Sequence, residues 1–299
     1  MNRLEWLMLI TLSVLWGGSF LFMKIAVSEL PTLLVVFLRV SIAALALFVF
    51  IKISGIEFPR GVKLWRTFFI MGFINNLLPF SLLVWGMTEI SSGLAAILNA
   101  TTPVFTILVA HFMTSDERIS GNKIIGVVLG IGGVVVLVGV DVLGGFNIAI
   151  VAMLACLAAA FSYALAAIFG RRFKDMKLAT GVAAFGQVAA SSLLMLPVVL
   201  VVDKPWMLTL PSLETGLALL ALGLASTAFA YVLYFKILAT AGATNIALVT
   251  LLVPVTAVLC GWLVLDETLS VNQFAGMGLI AIGLIAIDGR LLSNRRPGF

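Results

Sequence analysis

The chain has 299 residues, of which 62% are hydrophobic and 10% are charged, and its formal net charge is +5 at pH 7. Soluble globular domains are about half apolar and about a quarter charged, so this composition excludes that class. The basic residues lie in short connections between long apolar blocks, where contacts with lipid headgroups explain them. We therefore expect a lipid bilayer, and no nucleic acid, as the partner of these charges.

Breaks at charges, prolines and Asn/Gly clusters divide the chain into ten apolar blocks, each long enough to cross about 30 Å of hydrocarbon. The predicted spans are residues 6–27, 31–51, 67–87, 93–112, 122–140, 147–169, 179–201, 214–237, 243–264 and 270–288. The blocks are apolar on all sides, whereas barrel strands alternate apolar and polar residues. The sequence thus predicts an all-α integral membrane protein with ten transmembrane helices.

The basic residues also predict the orientation of the spans. With both termini in the cytoplasm, 15 of the 18 Lys and Arg residues lie on the cytoplasmic side and Lys204 alone lies on the other. The remaining two, Lys24 and Arg39, fall within spans. Positive charge accumulates on the cytoplasmic side of membrane proteins. We expect a bacterial inner-membrane protein whose N- and C-termini are both cytoplasmic.

Span 1 places Trp16 near the middle of the membrane, and Tyr163 occupies the matching depth of span 6. Trp and Tyr usually lie in the interface belts. At mid-span they could stack on a substrate or simply pack between helices. Lys24, near the end of span 1, is expected to snorkel toward the interface or to pair with Glu29.

Arg39 lies about eight residues into span 2, where a guanidinium requires a partner. Glu29 and Glu89, which are predicted near the same side of the membrane, are the expected structural partners. Direct binding of a substrate carboxylate is the alternative role.

Spans 3 and 4 carry polar residues inside apolar blocks, which makes them candidates for the substrate path. Asn75 and Asn76 lie in span 3, and Asn99, Thr102 and Thr106 follow one face of span 4. Three prolines each lie four residues after a polar residue and remove the hydrogen bond to its carbonyl. They are Pro79 after Asn75, Pro103 after Asn99 and Pro254 after Thr250. The freed carbonyls are predicted to be acceptors for a ligand, and a structural kink is the alternative.

Span 8 contains Ser226 and then Thr227, Tyr231 and Tyr234, which share one helical face, and Thr250 lies in span 9. At an offset of 151 residues these positions match polar residues of the first half. The pairs are Asn75 with Ser226, Asn76 with Thr227, and Asn99 with Thr250. Both halves would thus direct polar groups toward one cavity. The alternative is that these groups hold neighbouring helices together.

The chain repeats a longer signature at nearly the same offset. Pro103 followed by Asp116-Glu117-Arg118-Ile119-Ser120 recurs as Pro254 followed by Asp266-Glu267-Thr268-Leu269-Ser270. The halves are predicted at 1–140 and 147–289, with a tail at 290–299. Five spans per half is an odd number, so the second half enters the membrane inverted. Inverted repeats are typical of secondary transporters, with the substrate near the midplane.

Two other groups of residues have structural interpretations. The acidic pairs lie in loops on opposite faces, so they cannot form a catalytic dyad, and Ser120 and Ser270 are expected to cap the helices that follow. Glycines in spans 5 and 10 favour close helix contact, either within a monomer or between two copies. They include Gly126, Gly133, Gly276 and Gly283.

These markers together resemble the drug/metabolite transporter superfamily, EamA type, over nearly the whole chain. They are Leu15-Trp16-Gly17, Pro31 with Arg39, the two Pro and Asp-Glu signatures, and Ser226-Thr227-Ala228-Phe229-Ala230-Tyr231. Within that group the chain is most similar to YddG-type amino acid exporters. The resemblance implies a ten-helix transporter of small metabolites.

The predicted spans hold no Asp or Glu at mid-depth, and the chain lacks metalloprotease, hydrolase and Walker motifs. A polar, uncharged and aromatic site suits a neutral or zwitterionic solute. We expect export of small metabolites, above all aromatic or hydrophobic amino acids, with no cofactor, no metal and a chain compatible with a monomer. Efflux of hydrophobic drugs is the first alternative, and a scaffold or an intramembrane enzyme is the second.

Overall fold

A computed structural model of the chain describes residues 2–59, 61–114, 121–143, 147–246 and 248–288. All regular structure within these ranges is helical. Eight helical stretches are long and apolar enough to cross a bilayer, and two shorter apolar helices, Val249–Leu265 and Val271–Ile287, bring the number to ten. The predicted ten-span all-α fold is confirmed.

The observed spans follow the predicted ones closely, because a chain in lipid must close its backbone hydrogen bonds within helices. They are Arg3–Glu29, Thr32–Ile53, Val62–Glu89, Ser92–Met113, Gly121–Leu143, Ile148–Phe169, Thr180–Val202, Leu213–Ala241, Val249–Leu265 and Val271–Asp288. Span 3 begins five residues before the predicted start, since Lys63 and Arg66 interrupt the apolar pattern but not the helix.

Spans 4 and 9 are each broken before their proline. Span 4 consists of helix 4a, Ser92–Asn99, and helix 4b, Thr102–Met113, with Pro103 in the first turn of 4b. A short helix, Ala243–Ile246, precedes span 9, so this span begins six residues later than predicted. A proline lacks an N–H and weakens the helix on its N-terminal side, which explains why both breaks lie there.

The packing of the spans follows the two repeats. Span 1 packs along span 9, and its equivalent, span 6, packs along span 4. Span 8 packs against spans 1 and 2, just as span 3 packs against spans 6 and 7. Spans 2 and 7 also pack together, and the hydroxyls of Ser41 and Ser192, which match at the offset of 151, lie 2.6 Å apart. A pseudo-twofold axis that passes between these two serines thus relates the two halves.

The boundaries of the two halves stay a prediction. The predicted tail at 290–299 and the first acidic signature, including Ser120, lie outside the described residues. The second signature is described: Ser270 Oγ accepts the backbone N–H of Gln273, and the Ser270 N–H is bound by the Gln273 side chain. This reciprocal pair caps the start of span 10, as the sequence predicts.

Spans 5 and 10 form the closest helix pair. A methyl group at Gly126 would lie 2.6 Å from the carbonyl oxygen of Gly283, and one at Gly133 would lie 2.8 Å from that of Gly276. Any larger residue would force the two backbones apart. The glycine faces are therefore used for packing within one chain.

The helix ends define two faces of the bundle. The acidic face holds the ends of spans near Glu29, Glu89, Asp203, Glu214 and Glu267. The basic face holds the opposite ends, near Lys52, Arg66, Arg171, Lys174 and Lys236. Between them the outward-facing side chains are apolar, as lipid contact requires; Leu45, Leu193 and Leu217 are all more than half exposed.

Candidate substrate-binding site

Two of the three predicted polar pairs lie in π-helical turns. Asn75 and Asn76 are in the π-helical turn Phe73–Leu77 of span 3, and Ser226 and Thr227 are in the π-helical segment Ala221–Phe229 of span 8. At the offset of 151 residues the first turn falls within the second segment. A π turn widens the helix locally and is frequent at functional sites. The equivalent turns bring polar side chains of both halves into the bundle interior.

The π turn of span 3 is stabilised by hydroxyls from neighbouring spans. Ser162 of span 6 donates to the carbonyl of Ile74 at 2.6 Å. The Ser191 hydroxyl of span 7 lies 2.9 Å from the carbonyl oxygen of Gly72 and 2.7 Å from that of Gln187, and its one proton is shared between them. The prediction that Pro79 frees the carbonyl of Asn75 assumed an α-helical register. In the π register the residue five positions before Pro79 is Ile74, whose carbonyl Ser162 binds.

The π turn positions an amide–tyrosine cluster, made of Asn75, Asn76, Gln187, Ser191 and Tyr231. Asn75 Nδ2 donates to Gln187 Oε1 at 2.8 Å and to Tyr231 Oη at 3.3 Å. Tyr231 Oη donates to Asn76 Oδ1 at 3.3 Å, and Asn76 Nδ2 donates to Ser191 Oγ at 3.2 Å. The cluster therefore joins spans 3, 7 and 8 in the membrane interior with groups that both donate and accept hydrogen bonds.

Arg39 of span 2 lies beside this cluster and is only 5% exposed. Its Nε donates to Thr227 Oγ1 at 3.0 Å, and its Nη1 lies 3.2 Å from the sulfur of Met23. The guanidinium carbon is 3.7 Å from the centre of the Phe80 ring, a cation–π contact. Thr227 thus faces the site, and its own hydroxyl donates to the carbonyl of Leu222 at 2.8 Å.

The predicted pairing of Arg39 with Glu29 or Glu89 is wrong. Glu29 instead accepts hydrogen bonds from the backbone N–H and the hydroxyl of Ser212, and Glu89 is exposed next to Thr88. Both carboxylates lie at helix ends on the acidic face, whereas Arg39 lies deeper. A helix end offers unpaired N–H groups, which bind a carboxylate without drawing it into the bilayer.

Lys24 was predicted to snorkel toward the interface or to pair with Glu29, and among the described residues the pairing is not found. Lys24 Nζ donates to the carbonyl oxygens of Met87 and Ile90 at 2.6 and 3.0 Å. These carbonyls belong to the last turn of span 3, where the helix dipole is negative. The ammonium therefore caps span 3 and ties it to span 1.

Two groups of aromatic side chains flank the cluster. Trp16 lies 5.6 Å from Tyr234, ring centre to ring centre, and Tyr234 lies 5.3 Å from Phe235. Tyr163 lies 6.4 Å from Phe80, the ring that also covers Arg39. Trp16 and Tyr163 are each half-buried. Trp16 of span 1 and Tyr163 of span 6 therefore contact different aromatic partners.

The remaining predicted residues lie at the breaks of spans 4 and 9. Thr102 Oγ1 donates to the carbonyl of Asn99 at 2.7 Å, so the carbonyl that Pro103 frees is already bound within the span. Asn99 Oδ1 and Ser226 Oγ are buried and have no hydrogen-bond partner among the described residues. Thr250 lies in the first turn of span 9. None of Asn99, Thr102 and Ser226 hydrogen-bonds to the amide–tyrosine cluster within the described ranges.

At the acidic face a carboxylate joins spans 4 and 9. Glu267, just after span 9, accepts hydrogen bonds from the backbone N–H of Ser92 at 2.8 Å, its hydroxyl at 2.7 Å and the N–H of Gly93 at 3.2 Å. Helix 4a also packs against spans 1, 6 and 9, and helix 4b packs against spans 5 and 6. A cavity of about 340 Å³ lies at this face, lined by Lys24, Ile25, Ser28, Glu29, Glu214, Leu265 and Glu267.

Gln187 and Ser191 are functional candidates that the sequence prediction missed. They lie one helical turn apart on span 7 and are both buried. Their spacing in an apolar span was an available signal. Among the described residues, no group of three or more His, Cys, Asp or Glu side chains could hold a metal ion.

The sequence matches the EamA-like transporter family twice, over residues 3–139 and 150–287. It is 29% identical to the "Uncharacterized transporter YoaV" of Bacillus subtilis (strain 168), over 92% of this chain and 94% of that protein. It is also 29% identical to the "Probable amino-acid metabolite efflux pump" of Escherichia coli (strain K12), over 95% and 94%. The "Uncharacterized inner membrane transporter YedA" of the same organism is 25% identical over 97% and 92%.

A solved structure, titled "Crystal structure of protein", has the same fold. Its TM-score to this chain is 0.69 at 20% sequence identity, and the alignment covers 99% of this chain and 100% of that one. The ten spans, the exchange of contacts between halves and the double sequence match all agree. The chain therefore belongs to the EamA-like transporter family and is a membrane transporter by family.

Proposed function

We propose that this protein is a secondary transporter or facilitator that exports small neutral or zwitterionic metabolites, above all aromatic and hydrophobic amino acids. The amide–tyrosine cluster is the observation that carries the proposal, because it gathers uncharged donors and acceptors from three spans inside the membrane. The printed name of the Escherichia coli relative, an amino-acid metabolite efflux pump, supports the same class of substrate.

The proposed site contains the predicted polar and aromatic residues. These are Trp16, Asn75, Asn76, Asn99, Thr102, Tyr163, Ser226, Thr227, Tyr231, Tyr234 and Thr250. Amide groups can bind both the carboxylate and the ammonium of a zwitterion. The half-buried rings of Trp16 and Tyr234 offer apolar contact for a side chain. A permanent cation would have no carboxylate in the cluster to balance its charge.

Export requires that the site open to one side of the membrane at a time. The Glu267 contact with helix 4a supports a conformation that is closed toward the acidic face. The distribution of Lys and Arg supports an inner-membrane location with the basic face and both termini in the cytoplasm. The substrate would then enter from the basic face and leave past the acidic face.

The test is counterflow of labelled amino acids into proteoliposomes, with and without an imposed pH gradient. Asn76→Leu and Thr227→Leu should each reduce transport about tenfold or more, because each leaves buried polar partners unsatisfied. Ser41→Ala is the matched control: it removes a half-buried hydroxyl that binds Ser192 outside the cluster, and transport should stay near the wild-type rate.

Two outcomes would contradict the proposal. Normal transport by both leucine variants would exclude the cluster as the substrate site. Transport confined to permanent cations and driven by the proton gradient would favour the hydrophobic drug efflux alternative. Size-exclusion profiles in detergent distinguish loss of transport from loss of folding.

A further inference from the structure

Arg39 is a charged residue in the membrane interior whose partners among the described residues are all neutral. They are the Thr227 hydroxyl, the Met23 thioether and the Phe80 ring. A guanidinium has five N–H donors. Its Nη2 has no hydrogen-bond partner among the described residues, and no described carboxylate forms an ion pair with it. Charged groups within spans are normally paired, so this cation is short of a counter-charge.

Lys24 provides a comparison within the same bundle. Its ammonium is bound by two carbonyl oxygens at the end of span 3, at 2.6 and 3.0 Å. Negative helix-end charge thus compensates Lys24 locally. Nothing equivalent surrounds Arg39, since a hydroxyl, a sulfur and a ring supply only weak acceptors.

The location of Arg39 relates it to the proposed substrate site. Thr227, which binds its Nε, lies one turn before Tyr231 of the amide–tyrosine cluster. A solute bound at the cluster would therefore be next to a cation with free donors.

We infer that Arg39 binds the carboxylate of the transported solute and selects for solutes that carry one. Arginine and carboxylate form paired, charge-assisted hydrogen bonds, which suit the free donors of the guanidinium. The Asn76 and Gln187 side-chain oxygens each accept one hydrogen bond within the cluster, and each has a second lone pair that can accept from an ammonium group. This inference rests on the proposed function and adds the chemical group that the site recognises.

The experiment compares transport of an acid with that of its amide. Wild-type protein in proteoliposomes should transport phenylalanine at least about tenfold better than phenylalaninamide, which lacks the carboxylate, because breaking a buried charge pair weakens binding by that much or more. Arg39→Gln should reduce this preference about tenfold, and any remaining preference reflects the net positive charge of the amide. Arg39→Lys, which retains a charge without the planar fork, should keep part of it.

Lys24→Met is the matched control, because it removes a cation that binds backbone carbonyl oxygens away from the amide–tyrosine cluster. It should leave the ratio of acid to amide transport unchanged, even where the absolute rate changes. If Arg39→Gln does not fold, ligand-induced thermal stabilisation of the wild-type protein gives a second measurement. Phenylalanine should raise the Tm and phenylalaninamide should not.

The outcomes separate this inference from the proposed function. Equal transport of acid and amide by wild-type protein would overturn the role of Arg39 while leaving amino acid transport intact. A preserved acid preference in folded Arg39→Gln would do the same, as would equal stabilisation by both ligands. Failure of the wild-type protein to transport any amino acid would instead overturn the proposed function.

Discussion

Helices 4a and 4b belong to one span but are held in different ways. Helix 4a packs against spans 1, 6 and 9, and its N-terminus binds the Glu267 carboxylate through three hydrogen bonds. Helix 4b packs against spans 5 and 6 through side-chain contacts. Helix 4a therefore has polar contacts at the acidic face that a single substitution can remove, in addition to its packing against spans 1, 6 and 9. We therefore expect Glu267 to control the movement of helix 4a at the acidic face.

The largest expected effect concerns which face is outside the cell. Single cysteines at Ser54, Lys174 and Pro211, with Cys156 and Cys260 replaced by Ala, would be exposed to an impermeant thiol reagent. In intact cells Pro211 should be labelled, and Ser54 and Lys174 should not, because the basic face is proposed to be cytoplasmic. Permeabilised cells should label all three. Labelling of Lys174 in intact cells would reverse the two faces.

The next largest effect is expected from weakening the hydrogen bonds between Glu267 and helix 4a, which helix 4b lacks among the described residues. Glu267→Gln replaces charge-assisted hydrogen bonds with neutral ones, which weakens the contact by about 1–2 kcal/mol. The population open at the acidic face should rise by about 5- to 30-fold. The distance between spin labels at Glu89 and Leu213 reports the opening, again without the native cysteines.

Glu214→Gln is the control for that measurement. Glu214 lines the same cavity at the acidic face, but it accepts no hydrogen bond from another described residue. It therefore undergoes the same loss of charge without loosening a helix end. An unchanged distance in the Glu267 variant, or an equal change in the Glu214 variant, would contradict the role given to Glu267.

The smallest effect lies where span 7 meets span 2 on the acidic face. Burial raises the pKa of Asp203, although a hydrogen bond from the backbone of Leu34 opposes this. A raised pKa means that the ionised carboxylate is less favourable in the folded protein than in the unfolded chain. The associated stability is present below the unfolded pKa and is lost as the pH rises through the folded value.

Asp203→Asn should therefore raise the Tm at pH 7 by at most about 2 °C, with the difference shrinking as the pH falls toward 4. Thermal unfolding in detergent from pH 4 to pH 8 would measure this. A lower Tm for the variant at pH 7 would mean that the charge stabilises the end of span 2 more than burial disfavours it.

The sequence predicted the ten spans because hydropathy alone places helices in lipid. It did not predict the π turns. Those depend on Ser162 and Ser191, which bind carbonyls of span 3 from other spans, and such contacts have no local signature in span 3. Because the π turn was not predicted, the carbonyl assigned to Pro79 was taken from the α-helical register instead of the π register.

The site was predicted by searching for positions that are polar in both halves. This criterion misses residues that are polar in only one half. Gln187 and Ser191 match Val36 and Val40 at the offset of 151, and Arg39 matches Ala190. A comparison that requires a polar residue at the equivalent position of both halves discards all three residues. Asn75, Asn76 and Tyr231 lie together in the structure, although their contact with a substrate stays a prediction. A single bound solute is itself asymmetric, so its most specific contacts need not respect the repeat.

The paired π turns also bear on the history of the gene. A π turn arises when one residue is inserted into an α-helix. The turn at Phe73–Leu77 falls within the equivalent segment of Ala221–Phe229 once the repeats are aligned. One insertion in a five-helix ancestor, copied when that ancestor was duplicated, accounts for both. The widened helix would then be older than the ten-helix chain and would have served an ancestor that paired two separate copies of itself.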